Sequence, residues 1–115
     1  MITLYGIPNC SSVKKARQWL DDRNIDYIFH DFRKHGVERD AVRVWFERLP
    51  DTLINRKGTT WRTLDTETRK LADTPDGAIG LIVAHPTLIK RPLLQHGELL
   101  MVGFDEQRYA VELAR

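Results

Sequence analysis

The first thirty-two residues constrain the fold most. Ile2 to Tyr5 is a short run of apolar and β-favouring residues, and Gly6-Ile7-Pro8-Asn9 after it holds three strong turn formers, so a strand ending in a tight loop is expected. A helix follows, because Val13, Ala16 and Leu20, with Trp19 beside them, recur at helical spacing while Lys14, Lys15, Arg17 and Asp21 fill the other face. Ser11 or Ser12 supplies its cap and Asn24 a left-handed stop. From Asp26 to Phe32, Tyr27 and Phe29 alternate with polar neighbours around Ile28 and predict a second strand, closed by Arg33-Lys34-His35-Gly36. A crossover of this length is right-handed and joins parallel neighbours, which puts the loop and the helix start at the carboxyl edge of the sheet. The chain's one cysteine, Cys10, stands there.

Val37, Ala41, Val44, Trp45 and Arg48 predict a second amphipathic helix, with the stem of Arg48 snorkelling along it and Leu49-Pro50 as its stop. The polar middle reads as a helical turn over Asp51 to Asn55, a loop at Arg56-Lys57-Gly58 and short helical pieces thereafter. Asp76 to His85 reads as a helix, with Asp76 as cap, Ile79 and Val83 four apart and Pro86 as stop. Leu88 to Leu94, a turn at His96-Gly97 and Glu98 to Gly103 then form a hairpin. Pro92 lies inside its first strand and cannot donate to a ladder, so it needs an edge, a bulge or a cis bond. Asp105 caps a terminal helix carrying Tyr109, Ala110 and Leu113. The order is β-α-β, helical insertion, β-β-α. The expectation is therefore an α/β, thioredoxin-like fold with a mixed four-stranded sheet and a helical insertion between its halves.

Composition narrows the function. The 115 residues are 42% hydrophobic and 30% charged, the mix of one soluble domain, and a chain of this length hides roughly two thirds of its unfolded surface without needing a staple. A single domain over 1–115 is expected. Eighteen Lys and Arg against sixteen Asp and Glu leave a net charge of +2, too little for a phosphate-backbone binder. No apolar run approaches the about 18 residues that span a bilayer, and no signal peptide is visible, which predicts a cytoplasmic chain without a membrane partner. One cysteine excludes an internal disulfide, and His30, His35, His85 and His96 show no metal-site spacing, so no metal or bound cofactor is expected. Trp19, Trp45 and Trp61 read as core rather than as a base-stacking platform.

The chemistry is expected at Cys10. A thiol attacks only as thiolate, and a helix N-terminus stabilises that form through its unpaired N–H groups and dipole. Asn9, Ser11 and Ser12 make the flanking loop polar, and Lys14 and Lys15 on the first turns of the helix read first as a solvated face and second as an attractor for the carboxylates of an anionic thiol. Val13 stands three residues after Cys10, so there is no Cys-x-x-Cys pair and a covalent adduct must be resolved by an external thiol. In most cytosols that thiol is glutathione. The residues thus point to a one-cysteine reductase with glutathione as co-substrate.

Three blocks carry a family resemblance: Tyr5 to Ala16 around Cys10; Leu53-Ile54-Asn55-Arg56-Lys57-Gly58; and His85 to Leu94 with Val102-Gly103-Phe104. In this order and spacing they resemble the ArsC-like family, which includes glutaredoxin-coupled arsenate reductases, the Spx regulators and the YffB-like proteins, and they look closest to the YffB-like branch. The resemblance implies a thioredoxin fold with a helical insertion and a catalytic Cys10. It also implies an oxyanion site in which Arg56 and Arg91 match two family arginines and Pro92 matches the cis-proline. Two guanidinium forks near a thiolate suit an anionic partner such as glutathione. The third family arginine has no match in Leu100-Met101-Val102-Gly103, and Val13 replaces the second cysteine of the Spx switch. The leading expectation is a glutathione-dependent thiol-disulfide reductase acting on glutathione or a protein mixed disulfide. Its alternatives are an arsenate reductase coupled to glutathione or glutaredoxin, and a non-catalytic module that docks a protein partner.

Overall fold

A computed structural model describes residues 1–113. Its elements in chain order are β1 (Ile2–Gly6), α1 (Ser11–Asp22), β2 (Tyr27–Asp31), α2 (Phe32–His35), α3 (Arg39–Arg48), α4 (Thr59–Thr63), α5 (Thr66–Arg69), α6 (Pro75–Ala84), β3 (Leu93–His96), β4 (Leu99–Val102) and α7 (Glu106–Glu112), with 3-10 turns at Lys70–Asp73 and Pro86–Leu88. They form two compact units, one made of Met1–Asp31 and the segment from Arg91 onwards, the other of Phe32–Lys90.

The first unit is the mixed four-stranded sheet with α1 and α7, in the strand order β2-β1-β3-β4. β1 runs parallel to β2 and antiparallel to β3, and β3 pairs antiparallel with β4. Pairing in register sets Leu4 beside Phe29 and Leu94, and Leu94 beside Met101. Since successive strand residues alternate faces, this row is the apolar face. It packs with Ala16, Trp19 and Leu20 of α1 and with Tyr109 and Leu113 into one core. This is the expected β-α-β and β-β-α arrangement, a thioredoxin-like fold.

The second unit is the insertion. α3 packs on α6, and α6 on the 3-10 turn before it. Thr74 caps α6 by accepting from the Gly77 N–H at 3.2 Å, so the cap stands two residues before the expected Asp76. Leu53 to Asn55 is not a helical turn. Ile54 bridges Ile89 antiparallel, the Asn55 N–H donates to the Leu88 carbonyl and the Lys90 N–H to the Leu53 carbonyl, each at 2.8 Å, because burying Leu53 and Ile54 leaves their backbone in need of partners. α3 buries Val42 and Trp45, while Val44 is 46% exposed and Arg48 is exposed too. At about 100° per residue, the face centred on Val42 and Trp45 turns Val44 outward.

Other local expectations are met in part. Asn24 is left-handed as expected, at φ 55°. Asp105 caps α7 through the Gln107 and Arg108 N–H groups at 2.9 and 3.2 Å, but Ala110 faces out. Leu88 closes a 3-10 turn instead of opening a strand, and β3 starts after Pro92. β3 is an interior strand, so the edge placement considered for Pro92 does not hold; the Arg91-Pro92 bond is cis. Trp61, expected in a core, is only half-buried.

Candidate functional site

Cys10 itself is the N-cap of α1, in place of the expected Ser11 or Ser12: its φ and ψ of −95° and 129° are extended, and its carbonyl accepts the first helical bond, from the Lys14 N–H at 2.9 Å. Gly6 allows this close join. A Cβ on Gly6 would stand 2.7 Å from Val13 Cγ2, so only a glycine lets the end of β1 pack against the first turn of α1.

At an N-cap the side chain faces the N–H groups of the second and third helical residues. Here these are Ser12 and Val13. The neutral thiol makes no capping bond, since sulfur is a weak acceptor until it is ionised. Partial burial pushes the thiol pKa up, but the Val13 N–H, the Arg91 guanidinium and the Ser12 N–H together outweigh it, so the pKa lies below that of an ordinary thiol. Cys10 is free of any disulfide and partly accessible.

The structure thus brings Cys10, Ser12 and Arg91 together, with buried Pro92 next to Arg91. The Pro92 carbonyl accepts from the Gly103 N–H at 2.9 Å, which ties this loop to the end of β4. Asn9 and Ser11 are exposed flanks of the cysteine, and Lys14 is exposed on α1, its backbone rather than its ammonium engaged with Cys10. Arg56 belongs to the second unit, where its guanidinium lies 4.7 Å from the centre of the Trp61 ring. Arg69 lies over the same ring at 5.7 Å and donates to the Trp61 carbonyl at 3.2 Å. Trp61 is therefore a platform for two cations, a role that the sequence signals only through an aromatic residue five positions past Arg56.

Among the described residues no group of His, Cys, Asp or Glu could hold a metal ion, and no helix is long and apolar enough to cross a membrane. What the site offers is a partly accessible thiol, two backbone donors and a guanidinium: a nucleophile with anion-stabilising groups around it.

The ArsC family model matches residues 5–111. A solved structure described as the YFFB protein is 42% identical, with 99% of this chain and 100% of that one covered at a TM-score of 0.91. An arsenate reductase (ArsC) related protein from Brucella melitensis is 39% identical over 99% of this chain and 95% of its own, with a TM-score of 0.74. The global transcriptional regulator Spx of Streptococcus pyogenes is 28% identical over 100% of this chain and 87% of its length.

Proposed function

Because the chain belongs to the ArsC family, we propose that it is a one-cysteine thiol-disulfide reductase that works with glutathione. The observation that carries this reading is the environment of Cys10, a thiol at a helix N-cap whose ionised form is held by the Val13 and Ser12 N–H groups and by Arg91. In the proposed cycle the Cys10 thiolate attacks one sulfur of a disulfide, the S–S bond breaks, and the second sulfur leaves as a thiolate. Cys10 is then in a mixed disulfide. With Val13 where a resolving cysteine would stand, a glutathione thiolate attacks the mixed disulfide, releases reduced Cys10 and departs as the oxidised partner.

Incubation with oxidised glutathione followed by intact-mass spectrometry tests this. One glutathione adduct on the wild type and none on Cys10→Ser is expected; an unmodified wild type overturns the reading. Arsenate reduction is a second reading, favoured by the guanidinium of Arg91 beside the thiol, which suits an oxyanion as well as a carboxylate. A docking module would survive the loss of Cys10, and both enzyme readings would not.

A further inference from the structure

The second unit concentrates positive charge in one short stretch. Residues 56–70 hold five Lys and Arg against two Asp and Glu, an excess larger than the net +2 of the whole chain. Both acids are already committed. The Asp65 carboxylate caps α5 by accepting from the Thr68 N–H at 2.7 Å, Arg69 adding only a small attraction, and Glu67 holds Lys70 at 3.1 Å. Arg56, Lys57, Arg62 and Arg69 are left, and none of the four makes an ion pair among the described residues.

Two of these cations are gathered instead of spread. The Arg56 and Arg69 guanidinium carbons lie 4.7 and 5.7 Å from the centre of the one Trp61 ring, so their separation cannot exceed the sum of those distances. Like charges drift apart unless something holds them. Here the electron-rich ring attracts both, and Arg69 is fixed further by donating through Nε to the Trp61 carbonyl at 3.2 Å and through Nη2 to the Arg62 carbonyl at 3.1 Å. α4 itself is anchored, since the Thr60 and Thr87 hydroxyls share a hydrogen bond of 2.8 Å. Trp61 is half-buried while Arg56, Lys57 and Arg62 are exposed, so the cluster opens to solvent.

We propose that the Trp61 cluster is a docking surface for a short acidic segment of a partner protein. Guanidinium forks match carboxylates through paired hydrogen bonds, and forks already held in place spare the segment the cost of gathering them. Its Asp and Glu side chains meet Arg56 and Arg69 at the ring, with the chain neighbours Lys57 and Arg62 adding charge. A short occupant fits better than a long polyanion. Outside residues 56–70 Lys and Arg no longer outnumber Asp and Glu, so a nucleic acid or an anionic membrane extending past the cluster gains nothing there. The surface does not depend on Cys10 reacting.

Fluorescence anisotropy at low salt with labelled octa-glutamate, octa-glutamine and oligo-dT tests this. The wild type is expected to bind octa-glutamate and to ignore octa-glutamine. Arg56→Gln/Arg62→Gln should bind octa-glutamate about five- to ten-fold more weakly, the size of two exposed charge contacts. Lys15→Gln/Arg108→Gln removes as much charge from exposed positions of the first unit and should bind as the wild type does. Trp61→Leu keeps every charge but removes the ring that gathers Arg56 and Arg69; it should lose about three-fold, and Trp61→Phe should retain most of the affinity. Equal losses in the two double variants would reduce the effect to net charge and overturn the surface, whether or not Trp61→Leu folds. Unchanged affinity in a folded Trp61→Leu, oligo-dT binding at least as tight as octa-glutamate, or no peptide binding at all overturns it too.

Discussion

At the residue scale the chemistry turns on what the Cys10 sulfur faces. Two backbone N–H groups and one guanidinium favour its anion over the opposing effect of burial. The pH profile of iodoacetamide alkylation should have a midpoint below the free thiol value of about 8.5, and Arg91→Ala should move it upward while Arg91→Lys retains part of the shift. A wild-type midpoint at or above the free value would contradict this. The same groups tie stability to pH. A thiol whose pKa is lower in the folded than in the unfolded state adds stability fully above the unfolded pKa, and loses it as pH falls through the folded one. The stability of wild type relative to Cys10→Ser should therefore grow between about pH 6 and about pH 9, as urea denaturation at both ends would show. A constant difference would mean the folded thiol is no more acidic than the unfolded one.

At the scale of elements, the join between β1 and α1 places the cysteine, and it depends on Gly6 lying against Val13. Gly6→Ala should cost about 1–3 kcal/mol through overpacking, and Val13→Ala in the same chain should relieve part of that cost. Chemical denaturation of the four proteins measures the coupling; strictly additive losses would show that the contact yields without strain. α7 is held by Tyr109, which is 1% exposed and whose hydroxyl has no hydrogen-bond partner among the described residues. Tyr109→Phe should thus be neutral or slightly stabilising at neutral pH, whereas Tyr109→Ala should cost about 3–5 kcal/mol. Burial holds the Tyr109 pKa well above its ordinary value of 10.0. Stability must fall as pH rises past that value, where the unfolded chain ionises first, and Tyr109→Phe should remove this part of the alkaline loss. An equally steep loss in both proteins would assign it to other groups.

At the scale of the molecule, the balance between the two enzyme readings depends on how many guanidinium groups the fold supplies. The family's third arginine falls in a region that here ends β4 at Val102 and turns at Gly103, with φ 78°. A multiply charged oxyanion needs donors on every side, and one missing charge-assisted contact is worth roughly 1.5–3 kcal/mol, about one to two powers of ten in rate. Disulfide exchange develops its charge on sulfur and asks less of such a cradle. Cys10-dependent reduction of a glutathione mixed disulfide is expected, with weak or absent arsenate turnover under the same glutathione and glutaredoxin supply. Brisk arsenate reduction by a protein that ignores the mixed disulfide would reverse this order.

Local order was legible in the residues: Val13, Ala16 and Leu20 announce α1, Asn24 its left-handed exit, Asp105 the cap of α7, and Gly6 to Asn9 the loop that carries Cys10. Each of these depends on neighbours within a turn or two of chain, so the sequence by itself determined these elements, the thioredoxin-like order and the position of the thiol at a helix start. It did not determine that Cys10 rather than Ser11 is the cap, because a cap is chosen by where β1 can meet the helix, through Gly6 and Val13. Nor did it show that Ile54 and Ile89 pair, or that β3 begins after Pro92 as an interior strand. Strand pairing satisfies backbone groups far apart in the chain, and no local pattern encodes that choice.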